Sequence, residues 1–204
     1  WVSARRSASA RALSRARSIQ GRRVTEALIG SALGLTSIFF LALSCSVSIR
    51  AFGMGGIEEF DPVRQIFQLD PFSSFVSALV ALASLLSCAL AIDYLAELRI
   101  NHGEFYALVL LSTCGMMLMV SAVDLIAVFL GLELMSIPIY VLAGFDRRKL
   151  RSNESAMKYF LIGSFASAIM LYGMALLYGA SGSTTFAALR GGFAGHPTLA
   201  TLGM

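Results

Sequence analysis

A single carboxylate stands in the middle of an apolar run. In FLGLELMSIP, residues 129–138, Glu133 is followed by Ser136 and Pro138, and it is the only charged residue between Leu125 and Phe145. Roughly 20 apolar residues are enough to cross the hydrocarbon core of a bilayer. A central acid in such a helix costs about 2.5–3.5 kcal/mol on insertion scales, so it turns towards a partner or towards water inside the protein and marks a functional position. Pro138 has no N–H to give and releases the carbonyl of Leu134, one turn back. A released carbonyl beside an acid favours a trapped water, and Ser136 adds a hydroxyl to the same stretch. A carboxylate, a hydroxyl and a loosened turn together suit proton relay. The plainer alternative is a kinked span whose glutamate hydrogen-bonds to a neighbouring helix.

The chain has fourteen arginines and only two lysines, Lys149 and Lys158. A desolvated lysine can lose its proton, which arginine practically cannot, so Lys158, about a turn inside the last apolar span, is the second candidate for a relay. Snorkelling of its ammonium to the headgroups is the other reading. At the helical rise, Glu133 and Lys158 lie about 18 and 7 Å from one membrane face, and the offset of about 10 Å argues against a direct ion pair. Waters or another residue are needed between them.

Other chemistry has little to build on. Cys45, Cys88 and Cys114 stand singly in separate apolar stretches, and His102 and His196 lie far apart, which argues against zinc, an iron–sulfur cluster or a disulfide framework. GMGG (53–56) follows a membrane span, not a strand, so no dinucleotide-binding fold is indicated. Met116, Met117 and Met119 suit adaptable helix packing better than a quinone surface. No nucleic-acid partner is expected.

These residues have to be positioned by a membrane bundle. The 204 residues are 57% hydrophobic with a mean hydropathy of +0.75, well above the roughly 45–50% apolar content of a soluble domain. The expected fold is all-α and polytopic, with about five spans at residues 27–49, 72–92, 105–120, 125–145 and 156–180. Asp70-Pro71 gives an N-cap and a first-turn proline for the second span. The 41 apolar residues from Phe105 to Phe145 are too many for one crossing, and SAVD (121–124) is the polar break that fits a tight hairpin, with Asp124 capping its second member. Ser152 or Asn153 is expected to cap the fifth span. Gly163/Ser167 and Ser164/Ala168 there form small-xxx-small pairs for close helix contact, which predicts burial of this span in a bundle.

Residues 1–25 hold seven arginines and no acid, the composition of a mitochondrial targeting segment. A basic arm beside a bilayer is the coexisting reading. Because the chain begins at Trp1, a processed N-terminus is expected. The arm and DRRKLR (146–151) fall on one side in a five-span count, as the positive-inside tendency requires; the net acidic connector 93–104 on that side fits least well. Three regions result: the arm (1–25), a five-span domain (26–180) and a Gly- and Ser-rich loop (181–204) approaching a further span.

The stretch SAVDLIAVFLGLELMSIPIYVLAGFDRRKLRSNESAMKYFLIGSFASAIMLYGMALLYGASGSTTF resembles chain N of bacterial NADH–quinone oxidoreductase, the family of mitochondrial NADH dehydrogenase subunit 2. EFYALVLLSTCGMML and QLDPFSSF are similar too, so the likeness covers about residues 65–186. GLELMSIPIY alone fits any antiporter-like subunit, whereas KYFLIGSFASAIMLYG and SGSTTF favour chain N.

The resemblance implies a proton-translocating membrane-arm subunit of respiratory complex I in which Glu133 is the key half-channel residue and Lys158 the matching lysine on the next helix. It implies no cofactor in this chain, with NADH, FMN, iron–sulfur clusters and ubiquinone held by other subunits. The expected partners are complex I membrane-arm subunits and lipids, and the expected location is the mitochondrial inner membrane with the N-terminus on the matrix side. Family members have about fourteen spans, and the helix bearing the lysine paired with the key glutamate follows the point where this sequence stops. A split subunit, completed by a second polypeptide, is therefore expected. An Mrp-type cation/proton antiporter subunit and a structural or assembly subunit that lost pumping are the alternatives.

Overall fold

A computed structural model describes residues 32–50, 66–68, 70–98, 100, 103–190, 201 and 203. The Arg-rich arm, the GMGG loop, His102 and His196 lie outside them. Five described helices are long and apolar enough to cross a membrane: α1 (Ala32–Arg50), α2 (Pro71–Glu97), α3 (Gly103–Ser121), α4 (Leu125–Ala143) and α5 (Leu150–Ser181). A short α6 (Phe186–Arg190) follows. The protein is all-α, with no strand among the described residues, only two isolated bridges.

The helix starts follow the capping chemistry. Asp70 Oδ1 accepts the Ser73 N–H at 2.7 Å, and the Asp70 N–H donates back to Ser73 Oγ at 3.0 Å, a reciprocal cap with proline at the first helical position. Asp124 Oδ1 accepts from Ile126 and Ala127 at 2.8 and 3.4 Å. Two boundaries differ from expectation. Helix α2 runs past Ile92 to Glu97, since Leu, Ala and Glu continue a helix and no Gly or Pro stops it. Helix α5 begins at Leu150, behind an extended Lys149 whose side chain makes no capping bond. Ser152 and Asn153 are therefore inside the helix. Their side chains tie it back to the loop, Ser152 Oγ donating to the Ala143 carbonyl at 2.9 Å and Asn153 Nδ2 to that of Arg147 at 3.1 Å.

Successive helices pack in chain order. Leu41, Cys88, Leu95 and Tyr106 form a buried core shared by α1, α2 and α3. Ser84 and Thr113 make a buried hydroxyl pair at 2.7 Å between α2 and α3. The α3/α4 hairpin is tightest, because Gly115 lies on the backbone of α4 and Gly131 on that of α3. A Cβ on Gly115 would come within 2.8 Å of Gly131 O and of Leu134 C, and closer still to Met135 N. Helix α5 touches α4 along one side and has no buried residue.

One end of the bundle is fastened by main chain. Val123, in the hairpin turn, donates to the Ile66 carbonyl at 2.9 Å and accepts from the Phe186 N–H at 3.0 Å. Leu125 N–H donates to the Thr184 carbonyl at 2.9 Å, and the Thr184 hydroxyl donates to the second Asp124 oxygen. The segment after α5 is thus bonded into the turn and then helical at α6, not the plain loop its composition suggests.

Candidate functional site in the α4/α5 pair

Glu133, Ser136 and Pro138 all lie on α4, where the hairpin backbone contact is closest. Pro138 is fully buried and Ser136 is 9% exposed. Glu133 is half-buried, yet its Oε1 is shielded and has no hydrogen-bond partner among the described residues. A buried carboxylate oxygen without a donor carries a desolvation cost that a bound hydrogen-bond donor relieves. Gly115 of α3 backs onto Leu134 and Met135, so the turn loosened by Pro138 is also the turn against which α3 is pressed.

Lys158 lies elsewhere. Its Nζ pairs with Glu154 Oε1 at 2.6 Å, one turn back along α5, with both side chains largely exposed (69% and 56%). The pairing between helices explains why it is remote from Glu133. Gly144 faces Ala156, and the Tyr140 ring meets Tyr159 and Phe160 edge-on at 4.9 and 5.9 Å. Farther along, Phe129, Ile126, Leu171 and Met174 face a common cavity of about 230 Å³. Each step down α4 is therefore matched by one up α5 along the whole seam. Glu133, seven residues from Tyr140, is level with Ser167, seven residues from Phe160. Lys158 lies nine residues from that level, about 13 Å at the helical rise. The structure thus places Glu133, Ser136 and Pro138 within two turns of α4 and leaves Lys158 apart.

Three residues around these groups were not singled out by sequence reasoning as belonging to a site. Glu154 was readable from its four-residue spacing to Lys158, a standard helix pair. Ser167 was visible only as a small packing residue, since its level with Glu133 depends on helix register. Gly115 gave no signal in an apolar helix. At the loop, the Lys149 ammonium 3.2 Å from Asp146, with the Arg148 N–H, holds the Asp146 carboxyl below the usual range. Among the described residues no cluster of three His, Cys, Asp or Glu could hold a metal.

A family profile described as NADH:quinone oxidoreductase/Mrp antiporter, TM, matches residues 122–202. NADH-quinone oxidoreductase subunit N of Trichlorobacter lovleyi is 41% identical over 171 residues, 78% of this chain and 35% of that protein. Its counterpart in Paramagnetospirillum magneticum is 40% identical, covering 85% of this chain and 36% of that protein. The chain therefore spans about a third of the length of the curated relatives it matches. In respiratory complex I from Thermus thermophilus with bound aureothin, one chain aligns with a TM-score of 0.65 at 29% identity, over 89% of this chain and 40% of that one. A chain of the archaeal membrane-bound sulfane sulfur reductase shares the fold, with a TM-score of 0.63 at 22% identity, over 87% of this chain and 42% of that one. The chain belongs to the antiporter-like membrane subunits of NADH-quinone oxidoreductase, the subunit N family.

Proposed function

We propose that this chain forms part of a proton path in the membrane arm of a respiratory complex I, with Glu133 as its proton-holding group. The observation that carries this is the shielded, partnerless Oε1 of Glu133 in a turn opened by Pro138. A proton on that oxygen removes a buried charge, and its departure restores one, so a nearby cation that approaches or retreats drives the exchange. Ser136, and Ser167 at the same level on α5, are the hydroxyls suited to bridge the path. Lys158 is the next cation along, held by Glu154 in the absence of a demand from Glu133. The relatives extend well beyond the matched third, and the counter-charge of Glu133 belongs to the part of the assembly that corresponds to it.

Redox chemistry is assigned to other subunits: NADH, FMN, iron–sulfur clusters and ubiquinone have no binding group proposed in this chain. The Arg-rich, acid-free residues 1–25 support the mitochondrial inner membrane as the location, with that arm on the matrix side. Import of the full chain into isolated mitochondria tests this.

Glu133→Gln in the assembled complex, reconstituted into liposomes, tests the role. Quinone-coupled proton uptake should fall severalfold while assembly is retained. Unchanged pumping would instead assign the chain a structural part in the membrane arm.

A further inference from the structure

Two cavities meet at the loop end of the bundle. The first, about 500 Å³, opens between the start of α3 and the loop after α4, with Glu104, Phe145, Arg147 and Arg148 among its lining residues. The second, about 390 Å³, runs along the α4/α5 seam beside Tyr140, Met157 and Phe160. Val141, Gly144 and Arg147 border both. Arg147 therefore stands where a chamber bordered by charged residues passes into an apolar groove. This junction lies just beyond the last turn of α4, at the headgroup level of a spanning helix.

The charges in the first chamber are separated. Asp146 is engaged by Arg148 at 3.6 Å and Lys149 at 3.2 Å. Arg147 and Glu104 face the same space, and neither makes an ion pair among the described residues. A guanidinium and a carboxylate held apart across one cavity complement a ligand carrying both an anion and a donor cation. The guanidinium matches a phosphodiester through paired N–H donors, and the carboxylate matches a primary ammonium.

We propose that these joined cavities are a binding site for a phospholipid with an ethanolamine headgroup, its phosphate on Arg147, its ammonium on Glu104 and one acyl chain in the groove beside Met157 and Phe160. A choline headgroup carries the same net charge but no N–H to donate to Glu104. A glycerol headgroup carries the phosphate without the ammonium and offers Glu104 only neutral hydroxyl donors, which bind a carboxylate less strongly than an ammonium does. The site therefore ranks the three lipids by headgroup chemistry and not by net charge alone.

The full chain, purified within its complex in mild detergent, is exchanged against equimolar phosphatidylethanolamine, phosphatidylcholine and phosphatidylglycerol, and the retained lipids are quantified by native mass spectrometry. Phosphatidylethanolamine should be enriched about tenfold over phosphatidylcholine, the equivalent of one charge-assisted hydrogen bond. Glu104→Gln should abolish that preference without loss of phosphatidylglycerol, and Arg147→Gln should lower retention of all three. Arg151→Gln, exposed and outside both cavities, should change neither. Equal retention of the three lipids by the unaltered protein, or a preference for phosphatidylglycerol, overturns the proposal without any variant having to fold. Displacement of the lipid by inorganic phosphate alone would also overturn it, since the groove would then contribute nothing.

Discussion

Nζ of Lys158 sits 2.6 Å from Oε1 of Glu154 and about nine residues along the seam from the level of Glu133. The pair is exposed, so its removal should change stability by no more than about 0.5 kcal/mol. Its weight in transport is larger if Glu154 is the carboxylate that Lys158 leaves and returns to. Glu154→Gln should therefore leave the unfolding midpoint nearly unchanged and slow coupled proton uptake severalfold. A double-mutant cycle with Lys158→Gln, read by both denaturation and proton uptake, separates the two effects; a large stability loss with unaltered uptake would make the pair structural.

Ser167 is the α5 residue level with Glu133. Replacing its hydroxymethyl side chain by a methyl group preserves the small surface that the α4/α5 seam needs, so Ser167→Ala should fold normally. It should nevertheless slow proton uptake, with a raised solvent isotope effect, because one hydroxyl of the path is gone. Ser164→Ala, at an exposed position on the same helix, is the matched control. Equal rates in the two variants would remove Ser167 from the path.

Gly115 and Gly179 differ in what a methyl group would meet. On Gly115 it would lie within 2.8 Å of three main-chain atoms of α4, which cannot yield as a flexible side chain can, whereas on Gly179 nothing lies within 4 Å. Gly115→Ala should destabilise by about 1–3 kcal/mol as the α3/α4 hairpin is pushed apart. Gly179→Ala should be neutral or stabilising by up to about 1 kcal/mol, from helix propensity. Unfolding of both variants in one detergent makes the comparison. Because Gly115 abuts Leu134 and Met135, its variant should also change hydrogen exchange around Glu133.

Much of this arrangement was legible in the sequence because it rests on local chemistry. Asp70 before Pro71, and Asp124 at the one polar break in a long apolar run, fix the starts of α2 and α4 through bonds spanning three residues. Glu133 stood out because its cost in a membrane span is independent of its neighbours. Helix ends without a breaker were less legible: the sequence around Ile92 and Leu150 continues a helix past the point where apolar character ends. Register was illegible, since the match of Glu133 to Ser167 arises from Tyr140, Gly144 and Ala156 meeting across two helices. The close approach at Gly115 likewise depends on which face α3 turns to α4.

The cap of α2 makes a prediction about pH. The Ser73 N–H, then the Ser73 hydroxyl, hold the Asp70 carboxyl below its ordinary value of 3.8, outweighing a small opposing effect of burial. A carboxyl whose value is depressed in the folded state contributes stability that is fully present above its unfolded value, and that stability is lost as the pH falls through the folded one. The first turn of α2 should thus be intact at neutral pH and down to about pH 4, then fray below 3.8 as the carboxylate takes up a proton and stops accepting from Ser73. Asp70→Asn retains a side-chain acceptor without a titrating group, so the fraying should lose its pH dependence, while Asp70→Ala should fray at every pH. Amide exchange at Ser73, followed from pH 6 to pH 3 in lipid nanodiscs, gives the measurement. Protection at Ser73 that is flat across that range in the unaltered protein would show that the proline at the first helical position, and not the ionised cap, holds the turn.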